Sequence, residues 1–143
     1  MRGYRAEAQA FASRRRALSM QEARDLAARL FDHFDVDPIV VQRVRSPRPG
    51  GNGSWFWHPH KGRPAKIHLD VEAPDWIVCH EVAHYVAFER NPREGHGREW
   101  AAIYVEAVRV VISEHYADRL HRAMVREGLV PAEVVTYGGR VAS

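Results

Sequence analysis

The sequence predicts one α+β domain, on the strength of three observations. A capped amphipathic helix occupies residues about 20–34, three short β-rich segments follow between residues 39 and 70, and a helix that is apolar around most of its circumference starts at Pro74. The 143 residues are 45% hydrophobic and 27% charged, with a formal net charge of +3, which excludes disorder over most of the length. A disulfide scaffold is excluded as well, because Cys79 is the sole cysteine. No run approaches the ~18–20 consecutive apolar residues of a membrane span. The N-terminal stretch is broken by Arg and Glu at short intervals and lacks the apolar core of a signal peptide. The expected location is therefore the cytoplasm, with no membrane partner.

The first helix is signalled by Ser19-Met20-Gln21-Glu22, the pattern of a capping box, followed by Leu26, Leu30, Phe31 and Phe34 at helical spacing. Asp35 to Pro38 stops it. The preceding segment, residues 1–18, is basic, rich in Ala and Arg, and compatible with a helix whose apolar face is thin. Residues 39–45, 54–58 and 65–70 read as strands separated by turn-rich loops, and three short strands so joined suggest a small, mostly antiparallel sheet. Within Trp55-Phe56-Trp57, alternate rings are expected to face the core.

Pro74 opens the next helix and Asn91-Pro92 closes it, since proline disfavours helical geometry in the residue before it. Helical patterns resume from Arg98 to about His115 and from about Ala117 to Glu127, where Gly128 and Pro131 follow. The expected organisation is an N-terminal segment (1–18), a domain body (19–130) and a C-terminal tail (131–143) that is weakly ordered or forms one edge strand.

The apolar helix carries His80-Glu81-Val82-Ala83-His84, the H-E-x-x-H pattern. Four residues make about 1.1 helical turns, so both imidazoles project from one face and can share an ion. Glu81 lies about 100° round the helix, able to reach a water beside the metal without displacing an imidazole. Two histidines and a glutamate inside an apolar helix would cost several kcal/mol to bury unless something pairs with them. Zinc suits the donors, one ion per chain, with three protein ligands leaving a fourth position for water. His96, in Glu94-Gly95-His96-Gly97, is the preferred third ligand. The helix runs about 9 Å past His84 by Arg90, and the six further steps can span about 20 Å back to the metal. A carboxylate of the following helix, Glu99 or Glu106, is the alternative. Glu81 is the expected catalytic base. A further donor for the tetrahedral intermediate is expected among Tyr85, Tyr104, His58, His60, His68 and His115.

The segment HEVAHYVAFERNPREGHGREW resembles the active-site region of the SprT-like (Spartan-type) zinc metalloproteases, and also small single-domain H-E-x-x-H metallohydrolases. The resemblance covers about residues 74–112. It implies a zincin-like fold for residues 19–130, with the sheet packed against the N-terminal helix, the H-E-x-x-H helix and the C-terminal helices. It carries His80, His84 and His96 over as ligands and Glu81 as base. A metzincin reading fails on spacing, because its third histidine would fall at Arg90. The single cysteine leaves no cysteine-rich zinc ribbon within the sequence, which sets it apart from larger relatives that act on DNA–protein crosslinks.

The expected function is zinc-dependent hydrolysis of a protein or peptide, through a zinc-bound water deprotonated by Glu81. The alternative is a nucleic-acid-associated or structural metal-binding module with weak or no hydrolysis. A sequence pI near 9.3 is compatible with a nucleic-acid partner, although the charges are scattered and Arg14-Arg15-Arg16 is the longest basic run. Retention of Glu81 and the lack of an obvious fourth protein ligand favour an open, reactive site.

Overall fold

The computed structural model describes residues 2–44, 54–93, 97–132, 135–137 and 140–142. Helices α1 (Arg2–Ala10) and α2 (Met20–His33) precede strands β1 (Val40–Val44), β2 (Trp55–Trp57) and β3 (Lys66–Asp70). Helices α3 (Asp75–Arg90), α4 (Arg98–Val111) and α5 (Glu114–Arg126) follow. In the C-terminal stretch, β4 (Val135–Tyr137) and β5 (Arg140–Ala142) pair with each other as an antiparallel two-stranded sheet, rather than one strand joining the main sheet.

The start of α2 follows the chemistry of its first turn. The Ser19 hydroxyl accepts from the Glu22 backbone N–H at 3.0 Å, and the Glu22 carboxylate accepts from the Ser19 N–H at 3.0 Å. Ala23, Ala27, Leu30 and Phe31 form the buried stripe of this helix. Asp35, at φ 53°, reverses the chain after it.

The main sheet is mixed, with strand order β1-β3-β2, which corrects the expectation of a mostly antiparallel sheet. β1 runs parallel to β3, with Val41 opposite Ile67, and β2 runs antiparallel to β3, with Phe56 opposite Ile67. The central place goes to β3, whose Ile67 and Leu69 are buried. The long connection 45–54 frees β1 and β2 from the hairpin pairing that a short turn would impose. Strand β2 takes an edge. Its Phe56 packs inward against Tyr85 and Phe88, while Trp57 stays half-exposed and its indole N–H donates to His68 Nδ1 at 3.0 Å.

Helix α3 is the centre of the molecule. It packs against β2 and β3 together with α2 on one side and against α4 on another, so residues around most of its circumference are buried. Burial of side chains such as Ile77, Val82 and Val86 contributes roughly 1.5–3 kcal/mol each before entropy is counted. Its first turn is tied to the N-terminal region: the Arg14 guanidinium pairs with Asp75 at 2.7 Å, and the Trp76 indole N–H donates to the Arg14 carbonyl at 2.7 Å. Helix α4 stops at Val111, short of the expected His115, because Ser113 starts a new helix by accepting from the Tyr116 N–H at 3.1 Å.

Helix α1 lies across α5 and sends Ala6, Ala10 and neighbouring Phe11 into the core. Gly3 lets it approach Trp100 closely; a Cβ there would stand 3.2 Å from the indole ring. Among the described residues, no helix is long and apolar enough to cross a membrane.

Two measurements check the α2 cap. Ser19→Ala should cost about 1 kcal/mol in urea unfolding. The Glu22 carboxyl is held down to about 2 from its ordinary 4.5, chiefly by Arg16 and then by the Ser19 backbone N–H. A depressed folded-state pKa stabilises fully above pH 4.5 and loses that effect as pH falls toward 2. Glu22→Gln should therefore flatten the acid limb of the stability profile over that window.

Candidate metal centre

The central helix brings His80, Glu81 and His84 together, with one potential ligand atom of each within 4.8 Å of the others. The two imidazoles face each other, His80 Nε2 standing 3.2 Å from His84 Nε2. A tetrahedral zinc with Zn–N bonds of about 2.0–2.1 Å sets its ligand nitrogens about 3.3 Å apart, so the observed spacing fits two ligands of one ion. One oxygen of Glu81 lies 3.6 Å from His80 Nε2, while its Oε2 is buried without a hydrogen-bond partner among the described residues.

A third element completes the arrangement. Glu7, from α1, is buried and its carboxylate contacts His80 Nδ1. With Nδ1–H donating to Glu7, the Nε2 lone pair is left toward His84 and Glu81, the tautomer a metal ligand requires. Aromatic rings hold both imidazoles. Trp100, fully buried, stacks on His84 with ring centroids 5.1 Å apart and donates its indole N–H to the His80 carbonyl at 3.4 Å. Tyr104 meets His80 edge-on at 5.4 Å, and Tyr4 lies parallel to it at 6.0 Å.

The electrostatics of this cluster favour a cation. Burial raises the Glu81 pKa to about 7, with Glu7 adding to the shift and His80 and the Phe56 backbone N–H opposing it. For His80, burial pushes the pKa down, but the Glu7 contact and the nearby Glu81 outweigh it and the net shift is upward. Glu81 and His80, both buried and both shifted upward, thus hold protons that a divalent ion would replace.

Sequence reasoning placed His80, Glu81 and His84 on one helix, and the structure gathers them. His96 lies outside the described residues. Of the alternative ligands, Glu106 pairs with Arg109 at 3.0 Å and stands 3.7 Å from His33, and Glu99 lies 3.7 Å from Arg90. Neither joins the metal-binding group. Among the candidate donors, the Tyr85 hydroxyl donates to the Asp37 carbonyl at 2.7 Å, His68 accepts from Trp57, and His58 packs against Phe88. His60 is exposed in a turn, and exposed His115 packs on Tyr116. Tyr104 adjoins the cluster but is fully buried, beyond the reach of a substrate. Burial and the adjacent Glu7 keep its hydroxyl protonated well beyond the ordinary phenol range. Cys79 is likewise a buried thiol whose pKa burial drives up, consistent with packing.

Glu7, Tyr4 and Trp100 escaped the sequence reading. A signal for Glu7 was present: it lies among Gly3, Ala6, Ala10 and Phe11, small and apolar residues at helical spacing, where a carboxylate is out of place unless it has a partner.

Three outcomes check the centre. His80→Ala should abolish stoichiometric zinc in elemental analysis. Glu7→Gln should keep the fold but weaken zinc affinity about 10–100-fold in competition titrations. Both raised pKa values mean that the folded metal-free protein binds more protons than the unfolded chain. Its stability should therefore fall as pH rises from about 4.5 through 7, and zinc should remove that decline. Thermal melts at pH 5 and pH 8, with chelator and with zinc, measure this directly.

Neither a curated protein nor a solved structure matches the chain. The sequence model of the SprT-like family matches residues 67–124, from β3 through most of α5. That family is part of the zincin-like metallopeptidase clan. The stretch that carries His80, Glu81 and His84 is thus similar to the SprT-like family.

Proposed function

We propose that the protein is a zinc-dependent metallohydrolase of zincin-like fold that cleaves peptide bonds in a protein or peptide substrate. The observation that carries this reading is the pair of His80 and His84 nitrogens 3.2 Å apart, beside a buried Glu81 whose Oε2 has no partner among the described residues. His80 and His84 are two ligands and His96 the third. When bound, zinc supplies a Lewis acid that acidifies a water molecule and polarises a carbonyl.

The chain's own residues do the rest. Glu7 holds the His80 ring in the tautomer that leaves Nε2 for the metal. Glu81, with a pKa near the working range, takes the proton of the attacking water and passes it to the leaving amine. Trp100 and Tyr104 close the back of the site, which fixes the ring positions and keeps solvent from that side. The donor to the developing oxyanion of the scissile carbonyl is Tyr4. It is 52% exposed, it lies along His80, and its hydroxyl pKa is raised by partial burial and then by Glu7 and Glu81.

A basic stripe on α5 supports a second reading, association with nucleic acid. His115, Arg119, Arg122 and Arg126 recur at three- and four-residue spacing around a hollow of about 290 Å³. Arg119 and Arg126 bond to Gln9, and none of the three arginines has a carboxylate partner among the described residues. Such a stripe neutralises phosphates in the manner of a backbone contact.

Glu81→Gln should retain zinc and lose about 10²–10⁴-fold in kcat for peptide cleavage; undiminished turnover would move the base elsewhere. His96→Ala should weaken zinc binding far more than Glu106→Ala, and the opposite order would transfer the third ligand to the carboxylate. Tyr4→Phe should lower kcat about 10²-fold with little change in KM. Any binding to a DNA duplex should fall steeply between 50 and 200 mM salt, by roughly tenfold less when Arg122 and Arg126 are both changed to Ala.

A further inference from the structure

A cavity of about 670 Å³ lies between α1, the segment after it and the turn from β3 into α3. Its volume is in the range of sites that enclose small ligands or side chains. The walls are mainly apolar. Phe11 and Trp76 stack with ring planes 5° apart and centroids 5.1 Å apart, so the buried Phe11 ring backs the partly buried Trp76 as an aromatic wall. The Trp76 indole N–H already donates to the Arg14 carbonyl, so its ring offers the cavity carbon surface rather than a polar tip. Ala8 and Ala12, both exposed, leave the opposite side open.

Position gives this cavity its meaning. Two of its lining residues, Tyr4 and Glu7, also touch His80, one by a parallel ring and one through Nδ1. The hollow therefore adjoins the His80 side of the proposed metal centre, with Tyr4, the proposed oxyanion donor, common to both. Consecutive residues of an extended peptide are about 3.3–3.6 Å apart, so a scissile carbonyl held at the centre brings a neighbouring side chain to this opening. The charged groups at the rim, Arg15 and Glu72, are exposed and oppose each other in sign. The neighbours Arg14 and Arg16 are held by Asp75 and Glu22 and do not add to the positive side. A rim balanced in charge over an aromatic wall selects for carbon surface rather than for an ion.

We propose that this cavity is the specificity subsite of the hydrolase and takes a large apolar or aromatic side chain adjacent to the bond that is cut. The assignment rests on the hydrolase reading above, because the metal centre defines where that bond lies. The cavity fixes the preference at one substrate position, with Phe, Tyr, Trp or Leu favoured about tenfold or more over Ala or Asp.

The test has two arms. In the first, zinc-loaded protein digests a library of peptides from a denatured proteome, and mass spectrometry reads the cleavage sites. Large apolar residues should dominate one position next to the cut. Ala8→Trp and, independently, Ala12→Trp should erase that preference while zinc content and helicity stay unchanged. Cleavage with no apolar preference, or a preference untouched in both correctly folded variants, overturns the proposal and leaves the hydrolase reading standing. In the second arm, ¹⁹F NMR follows binding of N-acetyl-4-fluorophenylalanine amide to the Glu81→Gln protein, with unlabelled N-acetyl-phenylalanine amide and its alanine analogue as competitors. Displacement by the former alone, lost in Ala8→Trp, supports the subsite even where no peptide is cut, an outcome that would instead remove the hydrolase reading. No binding, or equal displacement by the alanine analogue, overturns the subsite.

Discussion

Two buried carboxylates, a buried imidazole and the partly buried His84 meet at the junction of α1, α3 and α4, and their mutual charge balance is the constraint on which the rest depends. Glu7, Glu81 and His80 are each less than 5% exposed. Charges so placed are costly unless they are paired, protonated or bound to a cation. The proton on Glu81 is lost as pH rises through about 7, whereas a divalent ion satisfies the cluster above that pH as well. The spacing of the two Nε2 atoms gives that ion a place, and the Glu7 contact at the far nitrogen of His80 gives the ring an orientation.

The architecture serves this cluster by layering. The sheet and α2 pack against one side of α3, which frees another side to meet α4, while α1 lies over α5 and reaches the same centre. Gly3 permits the close approach to Trp100 that sets Tyr4 and Glu7 at the correct height over His80. A helix held mainly by small side chains (Ala6 and Ala10) thereby supplies the orienting carboxylate and one wall of the adjacent cavity. Binding, catalysis and substrate preference meet on α1.

Much of this was legible in the chain, and the unread parts have physical reasons. The Ser19–Glu22 box and the H-E-x-x-H repeat are local signals, each written within one or two helical turns, and both appear where their spacing implies. Strand positions were equally readable, because β-branched and alternating residues mark them. Their order was not. Pairing β1 with β3 across the intervening β2 is a long-range choice, decided by which strand buries Ile67 and Leu69 at the centre. The break at Ser113 was hidden because apolar periodicity runs on through Val110, Val111 and Ile112, and a single cap outweighed it. Glu7 was missed for the opposite reason: a thin apolar face in a basic segment carries little periodic signal, and its partner lies more than seventy residues away.

X-ray absorption at the zinc edge tests the central claim most directly. Purified protein loaded with one equivalent of zinc should show a first shell of nitrogen and oxygen at about 2.0–2.1 Å, with the outer-shell scattering of three imidazoles. A shell without imidazole scattering, or a protein that releases its zinc on simple buffer exchange, would contradict the account.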